Sequence, residues 1–254
     1  CMDVGACNYN QEANIDDESC EFCSCADSLN EGFGLRLDAV VTHAVGPLAG
    51  MTTYRLFVTT PHEDDVLVEI FGEDEAPWTV QSSTSVHQEA LGVALGAGVN
   101  PLLFEAFPTL QFDSWLTIGL VGQPQEGEEA PLTVGDDTNG WLSNFETNGV
   151  LQVNQTPGGS LFLPNPTEAS NGMAGEGMSV LLGQFTTDGV LSGVVNVKAL
   201  RHGDSLDEVE LTLSFQGEGL FSGATLCGCA DAEACNYVPE ATYETDDCFY
   251  PEAL

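Results

Sequence analysis

The stretch Val209-Glu-Leu-Thr-Leu-Ser-Phe215 (VELTLSF) decides the fold class of this chain. Its apolar residues alternate strictly with polar ones, so that four apolar side chains share one face. A period of two is typical of an extended strand with one buried face. Comparable segments are GLRLDAV near residue 35, TTYRLFV near 54, VLVEIFG near 68, SWLTIGL near 116 and VVNVKAL near 196. The sequence therefore predicts an all-β domain.

Turn signals separate these segments, as expected for short antiparallel strands. They are GEDEAP, GQPQEGEEAP, GDDTNG, TPGGS and LPNPTEASNG. The Gly-rich stretch HQEALGVALGAGVNPLLFEAF is ambiguous and fits either a covering loop or a short helix; no long amphipathic helix is indicated. Short strands over roughly 190 residues fit one large β-sandwich, jelly-roll-like in type, which we assign to residues 26–226.

The charge of the chain is extreme. Forty acidic residues face four basic ones over 254 residues, which gives a net charge of -36. Such a polyanion is repelled by nucleic acid and by anionic lipid, so neither is expected as a partner. Copies of the chain also repel one another unless salt or bound divalent cations neutralise them; adaptation to a saline habitat is the alternative explanation. No segment approaches the roughly 18 apolar residues of a membrane span.

All the cysteines lie in two short terminal segments, residues 1–25 and 227–254. Both segments follow the spacing C-x5-C-x12-C, with corresponding residue numbers that differ by 228, and both contain the triplet CNY. This is an internal repeat. The nine cysteines are Cys1, Cys7, Cys20, Cys23, Cys25, Cys227, Cys229, Cys235 and Cys248.

Cysteines concentrated in short polar segments favour disulfides, and hence an oxidising, extracellular setting. The competing interpretation is zinc, but neither segment contains a histidine, and Cys20-Glu-Phe-Cys23 is the one C-x2-C pair. One hypothesis pairs Cys25 with Cys227, which would close the central domain and stabilise it by about 4–5 kcal/mol. The second segment has Pro251 where the first has Cys23. Once Cys227 is paired with Cys25, three cysteines of the second segment remain. One of these three is therefore left over, for a partner beyond Leu254 or in another subunit.

The chain starts at Cys1 without an initiator Met. We expect a processed product or one unit of a longer protein; a lipid-bearing first residue of a bacterial lipoprotein is the alternative.

Between the cysteines lie side chains with carboxylate or amide oxygens in turn-prone stretches. Calcium takes six to eight oxygen ligands in forgiving geometry, so these segments are predicted to bind it; a solvated acidic linker is the alternative. The candidate ligands are Asp3, Asn8, Asn10, Asn14, Asp16 and Asp17, then Asp231, Asn236, Glu240, Glu244, Asp246 and Asp247.

The pattern C-x-D-x-x-A-C-N-Y-N-x-x-A-x-x-D-D-x-S-C resembles the short cysteine/aspartate modules of secreted surface proteins of marine bacteria, which are similar to thrombospondin type 3 calcium repeats. The resemblance covers about 20 residues at each end. It implies calcium ligands at Asp3, Asn8, Asn10, Asp16 and Asp17, and more weakly at Asp231 and Asn236. Departures are Glu18 in place of glycine, Glu244 and Thr245 in place of the paired aspartates, and Val238 in place of Asn10.

Motifs of common enzyme classes are absent: the sequence contains no HExxH, no GxSxG and no Walker phosphate loop. Glycoside hydrolysis requires only a pair of carboxylates, and forty acidic residues leave this alternative open. The four histidines, His43, His62, His87 and His202, are scattered. Three acidic loops, HEDD (62–65), GEDE (72–75) and GDDTNG (135–140), are candidates for further calcium sites or ordinary turns.

Tryptophans offer a possible glycan platform. Trp115 lies inside a predicted strand, whereas Trp78 follows a proline and Trp141 follows Asn139-Gly140, so the latter two are predicted to be exposed. Asn154-Gln155-Thr156 is a glycosylation sequon.

Together these features predict a secreted, non-enzymatic, calcium-binding structural subunit that assembles head-to-tail through its terminal modules into an extracellular filament or surface layer. The alternative is a carbohydrate-binding β-sandwich with calcium-stiffened spacers.

Overall fold

The structure is a computed structural model that describes residues 32–136 and 140–222, together with 227–228, 234, 243–244, 248 and 250. The chain divides into two compact units. One is Gly34–Phe221, and the other combines Cys1–Phe33 with Ser222–Leu254. The first terminal module, and nearly all of the second, lie outside the described residues.

The central unit consists mainly of short strands. They are β1 (Gly34–Thr42), β2 (Thr52–Thr59), β3 (Val66–Gly72), β4 (Trp78–Ser82), β5 (Trp115–Leu116), β6 (Leu132–Val134), β7 (Leu151–Val153), β8 (Gly159–Phe162), β9 (Ser179–Thr187), β10 (Leu191–Leu200), β11 (Glu208–Gln216) and β12 (Gly219–Ser222). An α-helix, α1, covers Trp141–Asn148. Short 3-10 turns cover Gly96–Gly98, Pro101–Leu103, Pro108–Phe112, Ser170–Gly172, Gly175–Gly177 and Arg201–Gly203.

These strands form two antiparallel sheets. The first has the order β12-β1-β2-β9-β5, and the second has the order β6-β8-β3-β10-β4-β7, with β11 also paired to β10. The predicted all-β class is thus confirmed, and the arrangement is sandwich-like. Assignment to a jelly-roll-like β-sandwich stays a prediction.

Strand β11 shows the alternation that its sequence predicts. Val209, Leu211, Leu213 and Phe215 are all buried, and the residues between them are exposed. Its register with β10 is regular, from Leu200 opposite Glu208 to Ser192 opposite Gln216. The strict period of two therefore marks a strand with one face in the core.

Strand β10 organises the second sheet because two strands, β3 and β4, pair with successive stretches of it. Asn196–Leu200 pair with β3, and Leu191–Val194 pair with β4. The buried Asn196 side chain lies where the chain passes between them. Its amide nitrogen donates to the carbonyl oxygens of Phe71, Ala76 and Pro77 at 2.9–3.2 Å. One polar side chain thus satisfies the carbonyls of an interrupted ladder.

One segment differs from its expected structure, and one ambiguous segment is a loop rather than an α-helix. Of SWLTIGL only Trp115–Leu116 is a strand, and further along the segment Gly119 adopts the non-extended φ of 74°. In the ambiguous stretch of residues 87–107 the structure has 3-10 turns and no α-helix.

In the second unit, β13 (Cys227–Gly228) pairs in parallel with β14 (Tyr243–Glu244). Cys248 is a disulfide-bonded cysteine. The pairing of the nine cysteines stays a prediction. Among the described residues, no helix has the length and apolar character needed to cross a membrane.

Candidate metal centre

Two loops of the central unit meet because of the register between β3 and β10. Val66, the first residue of β3, lies opposite Leu200, the last residue of β10. The segment that precedes β3 therefore adjoins the 3-10 turn Arg201–Gly203 that follows β10. This register brings HEDD (62–65) next to His202.

Asp65 is the fixed centre of this cluster, because its side chain is fully buried. One carboxylate oxygen accepts the main-chain N–H of His62 at 3.0 Å, and the other accepts that of His202 at 2.9 Å. The Asp65 carbonyl accepts the N–H of Ala174 at 2.9 Å. A single aspartate thus holds the two histidine-bearing loops together.

The two imidazole rings lie side by side at the surface. Their centroids are 4.2 Å apart, and the rings are tilted by 42°. About half of each side chain is exposed, 48% for His62 and 55% for His202. One ligand atom from each of His62, Asp65 and His202 lies within 4.8 Å of the other two.

Asp64 contacts the second imidazole from outside this triad. Its Oδ1 lies 3.0 Å from Nδ1 of His202. An ionised carboxylate can only accept a hydrogen bond, so Nδ1 is the donor. The cluster therefore joins two imidazoles with one buried and one exposed carboxylate, a set of groups that can bind a proton or a metal ion.

Sequence reasoning missed this cluster because its two histidines lie on different, distant segments. Each of the other histidines has separate neighbours: Nε2 of His43 lies 2.9 Å from Thr53 Oγ1, and Nε2 of His87 lies 3.2 Å from Glu89. The sequence did show the acidic HEDD loop directly before a predicted strand. It did not show which other strand pairs with that strand, and therefore which loop lies beside HEDD.

The predicted calcium ligands and cysteines of the terminal modules lie outside the described residues, apart from the main chain of Cys227 and Glu244, and Cys248. In the GDDTNG loop, Asp136 instead stabilises the start of α1. Its Oδ1 accepts the main-chain N–H groups of Leu142 and Ser143 at 2.9 and 3.3 Å. The GEDE loop connects β3 to β4, and its Glu73 N–H donates to Ala76 O.

The prediction that Trp78 and Trp141 are exposed, as stacking on a glycan requires, is wrong. Their exposed fractions are 2% and 1%, and their rings pack against each other 5.3 Å apart. Trp141 is the first residue of α1 rather than part of a turn, and its Nε1–H donates to the Val134 carbonyl at 3.0 Å. Both side chains are core residues.

Two further acidic groups have structural partners. Buried Asp113 accepts the main-chain N–H groups of Glu89 and Val93 at 2.8 and 3.0 Å. Burial raises the pKa of its carboxyl above 3.8, although these hydrogen bonds oppose the shift. Glu129, beside a cavity of about 190 Å³, accepts both the main-chain and side-chain N–H of Asn165 at 2.8 Å.

Comparison of the chain with protein-family models, with curated proteins and with solved structures finds no match.

Proposed function

We propose that the chain is a secreted structural subunit that assembles head-to-tail through its terminal modules into an extracellular filament or surface layer. The observation that carries this proposal is the repeat of C-x5-C-x12-C on both sides of a cysteine-free β unit. Two copies of one module at opposite ends of a chain allow a heterologous contact between neighbours. Such contacts produce open filaments when they do not close into rings.

The distribution of charge supports a cation at the junction. All four basic residues belong to the central unit, and three of them pair with carboxylates there: Arg36 with Asp38, Lys198 with Glu69 and Arg201 with Asp207. The terminal modules contain no basic residue. Their acidic residues are Asp3, Glu12, Asp16, Asp17, Glu18 and Glu21, then Asp231, Glu233, Glu240, Glu244, Asp246, Asp247 and Glu252.

Two modules that carry only negative charge repel one another over roughly 8–10 Å at physiological salt. Calcium held by their carboxylate and amide oxygens removes this repulsion where the modules meet. Disulfides within the modules replace the apolar core that they lack, and an oxidising, extracellular location follows from them.

We propose no catalytic activity for the chain. The alternative function, glycan binding, is no longer supported by the two residues on which it was based. Trp78 and Trp141, which were its basis, are in the core. A surface groove of about 340 Å³ beside β3 and β10 is lined in part by Pro164, Pro166 and Glu208, and no aromatic side chain lines it. A stacking platform for sugars requires an exposed aromatic face.

Light scattering of the oxidised full-length chain, first in millimolar calcium and then in excess chelator, tests the proposal. Large species that dissociate on chelation are expected, with fibres visible by electron microscopy. Large species that resist the chelator would retain assembly but remove calcium from the junction. A monomer in both conditions would contradict head-to-tail assembly.

A further inference from the structure

We propose that His62, Asp65 and His202 form a site for a divalent transition metal of the zinc type. The site lies in the central unit and is independent of the calcium proposed for the terminal modules. It would fasten the loop between β2 and β3 to the turn between β10 and β11.

The donor set selects the class of metal. Calcium and magnesium prefer an all-oxygen environment, whereas imidazole nitrogen is a preferred ligand of zinc, copper and nickel. Two imidazoles and one carboxylate are a recurrent zinc ligand set. Each Asp65 oxygen accepts one main-chain N–H and keeps a second lone pair, so the carboxylate can bind a metal without releasing either loop.

The contact between Asp64 and His202 independently supports a metal site. Metal-binding histidines commonly donate their other ring N–H to a carboxylate, which fixes the tautomer and orients the ring. Here Nδ1 of His202 lies 3.0 Å from Asp64 Oδ1. The proton on Nδ1 leaves Nε2 with the free lone pair that a metal requires.

The main-chain conformation of His202 also supports a functional role for this residue. Its φ of 52° and ψ of 26° place a non-glycine residue in the left-handed region. L side chains rarely adopt this conformation, and such outliers concentrate at functional sites. The hydrogen bond from its N–H to Asp65 holds the conformation and brings the ring beside His62.

Exposure of the imidazoles defines how the site would be occupied. Three protein ligands leave one tetrahedral position, which faces solvent and takes a water molecule. Asp65 is buried, whereas both imidazoles are about half exposed, so a metal can enter from the surface.

Histidine NMR during titration of the oxidised full-length chain with Zn²⁺ tests the site, because the chain has four histidines. We expect the imidazole signals of His62 and His202 to change and to saturate at one Zn²⁺ per chain. The signals of His43 and His87 serve as internal controls and should stay in place. Excess Ca²⁺ should not reverse the change. Equal changes at all four histidines, or none at His62 and His202, would overturn the proposal.

Variants separate the ligands from their surroundings. His62→Gln and His202→Gln should each abolish the Zn²⁺-dependent change at the remaining partner, whereas His87→Gln should leave it intact. Asp64→Asn, at an exposed position, should weaken Zn²⁺ binding about 10-fold or more through loss of the orienting hydrogen bond. Circular dichroism of each variant checks its fold. Undiminished Zn²⁺ affinity in folded His62→Gln and His202→Gln would refute the assignment.

Discussion

The imidazole rings of His62 and His202 lie 4.2 Å apart, on loops that β3 and β10 bring together. The register that places Val66 opposite Leu200 fixes this proximity. Asp65, one residue before β3, then binds the main chain of both histidines. The cluster is therefore a consequence of how the second sheet is paired.

Tryptophan fluorescence tests whether the tryptophan side chains are buried. The three tryptophans of the chain, Trp78, Trp115 and Trp141, are each at most 2% exposed. We expect a blue-shifted emission maximum, weak quenching by acrylamide and no response to added sugars. Red-shifted emission that responds to a sugar would show that at least one ring faces solvent.

Replacement of Asn196 tests how the β3–β4 interruption is stabilised. Asn196→Ala removes the donor to three carbonyls, and the free energy of unfolding should fall by about 1–3 kcal/mol. Thr212→Val is the matched control, because it removes only the 2.8 Å hydrogen bond from Thr212 to Asn196. It should cost about 1 kcal/mol. Urea denaturation measures both, and equal losses would argue against the bridging role.

Asp113 should give a defined pH dependence. Burial raises the pKa of its carboxyl above 3.8, so between 3.8 and the raised value the folded state binds more protons than the unfolded state. The contribution of Asp113 to the free energy of unfolding therefore falls as pH rises through this window. Asp113→Asn cannot titrate. The stability of the native chain minus that of the variant should decrease across the window, and an increase would contradict the account.

Glycine at position 119 is required both by its conformation and by its neighbour. Its φ is 74°, and a Cβ atom would lie 1.8 Å from the Asn171 carbonyl oxygen. Gly46 has φ = 88° with nothing within 4 Å of the same position, so Gly46→Ala is a matched control. Gly119→Ala should cost about 3 kcal/mol, and Gly46→Ala about 1 kcal/mol. Thermal unfolding compares them, and equal costs would exclude the close approach as the cause.

Periodicity predicted those parts of the fold that depend on local sequence. The alternation in VELTLSF specified β11 and its buried face, because side chains of a strand point to opposite sides at every step. It did not specify partners. The pairing of β10 with β3, β4 and β11 depends on contacts between distant segments, which a single sequence does not encode in its period.

Local turn signals failed where tertiary packing decided the outcome. The Asn139-Gly140 dipeptide before Trp141 indicated an exposed turn, but the residues that follow form α1. Trp141 and Phe145, one helical turn apart, face the core. Their spacing of four was the available signal. The His62–His202 pair was hidden for a different reason, since only the sheet register joins its two loops.

A mixing experiment tests the central claim, head-to-tail assembly, most directly. One variant lacks residues 1–25 and the other lacks residues 227–254, so each keeps one of the two modules. In calcium, each variant alone should be monomeric by light scattering, and an equimolar mixture should form a 1:1 dimer without filaments. The full-length chain should form filaments under the same conditions. If either variant alone assembled as the full-length chain does, the terminal modules would not be the joint.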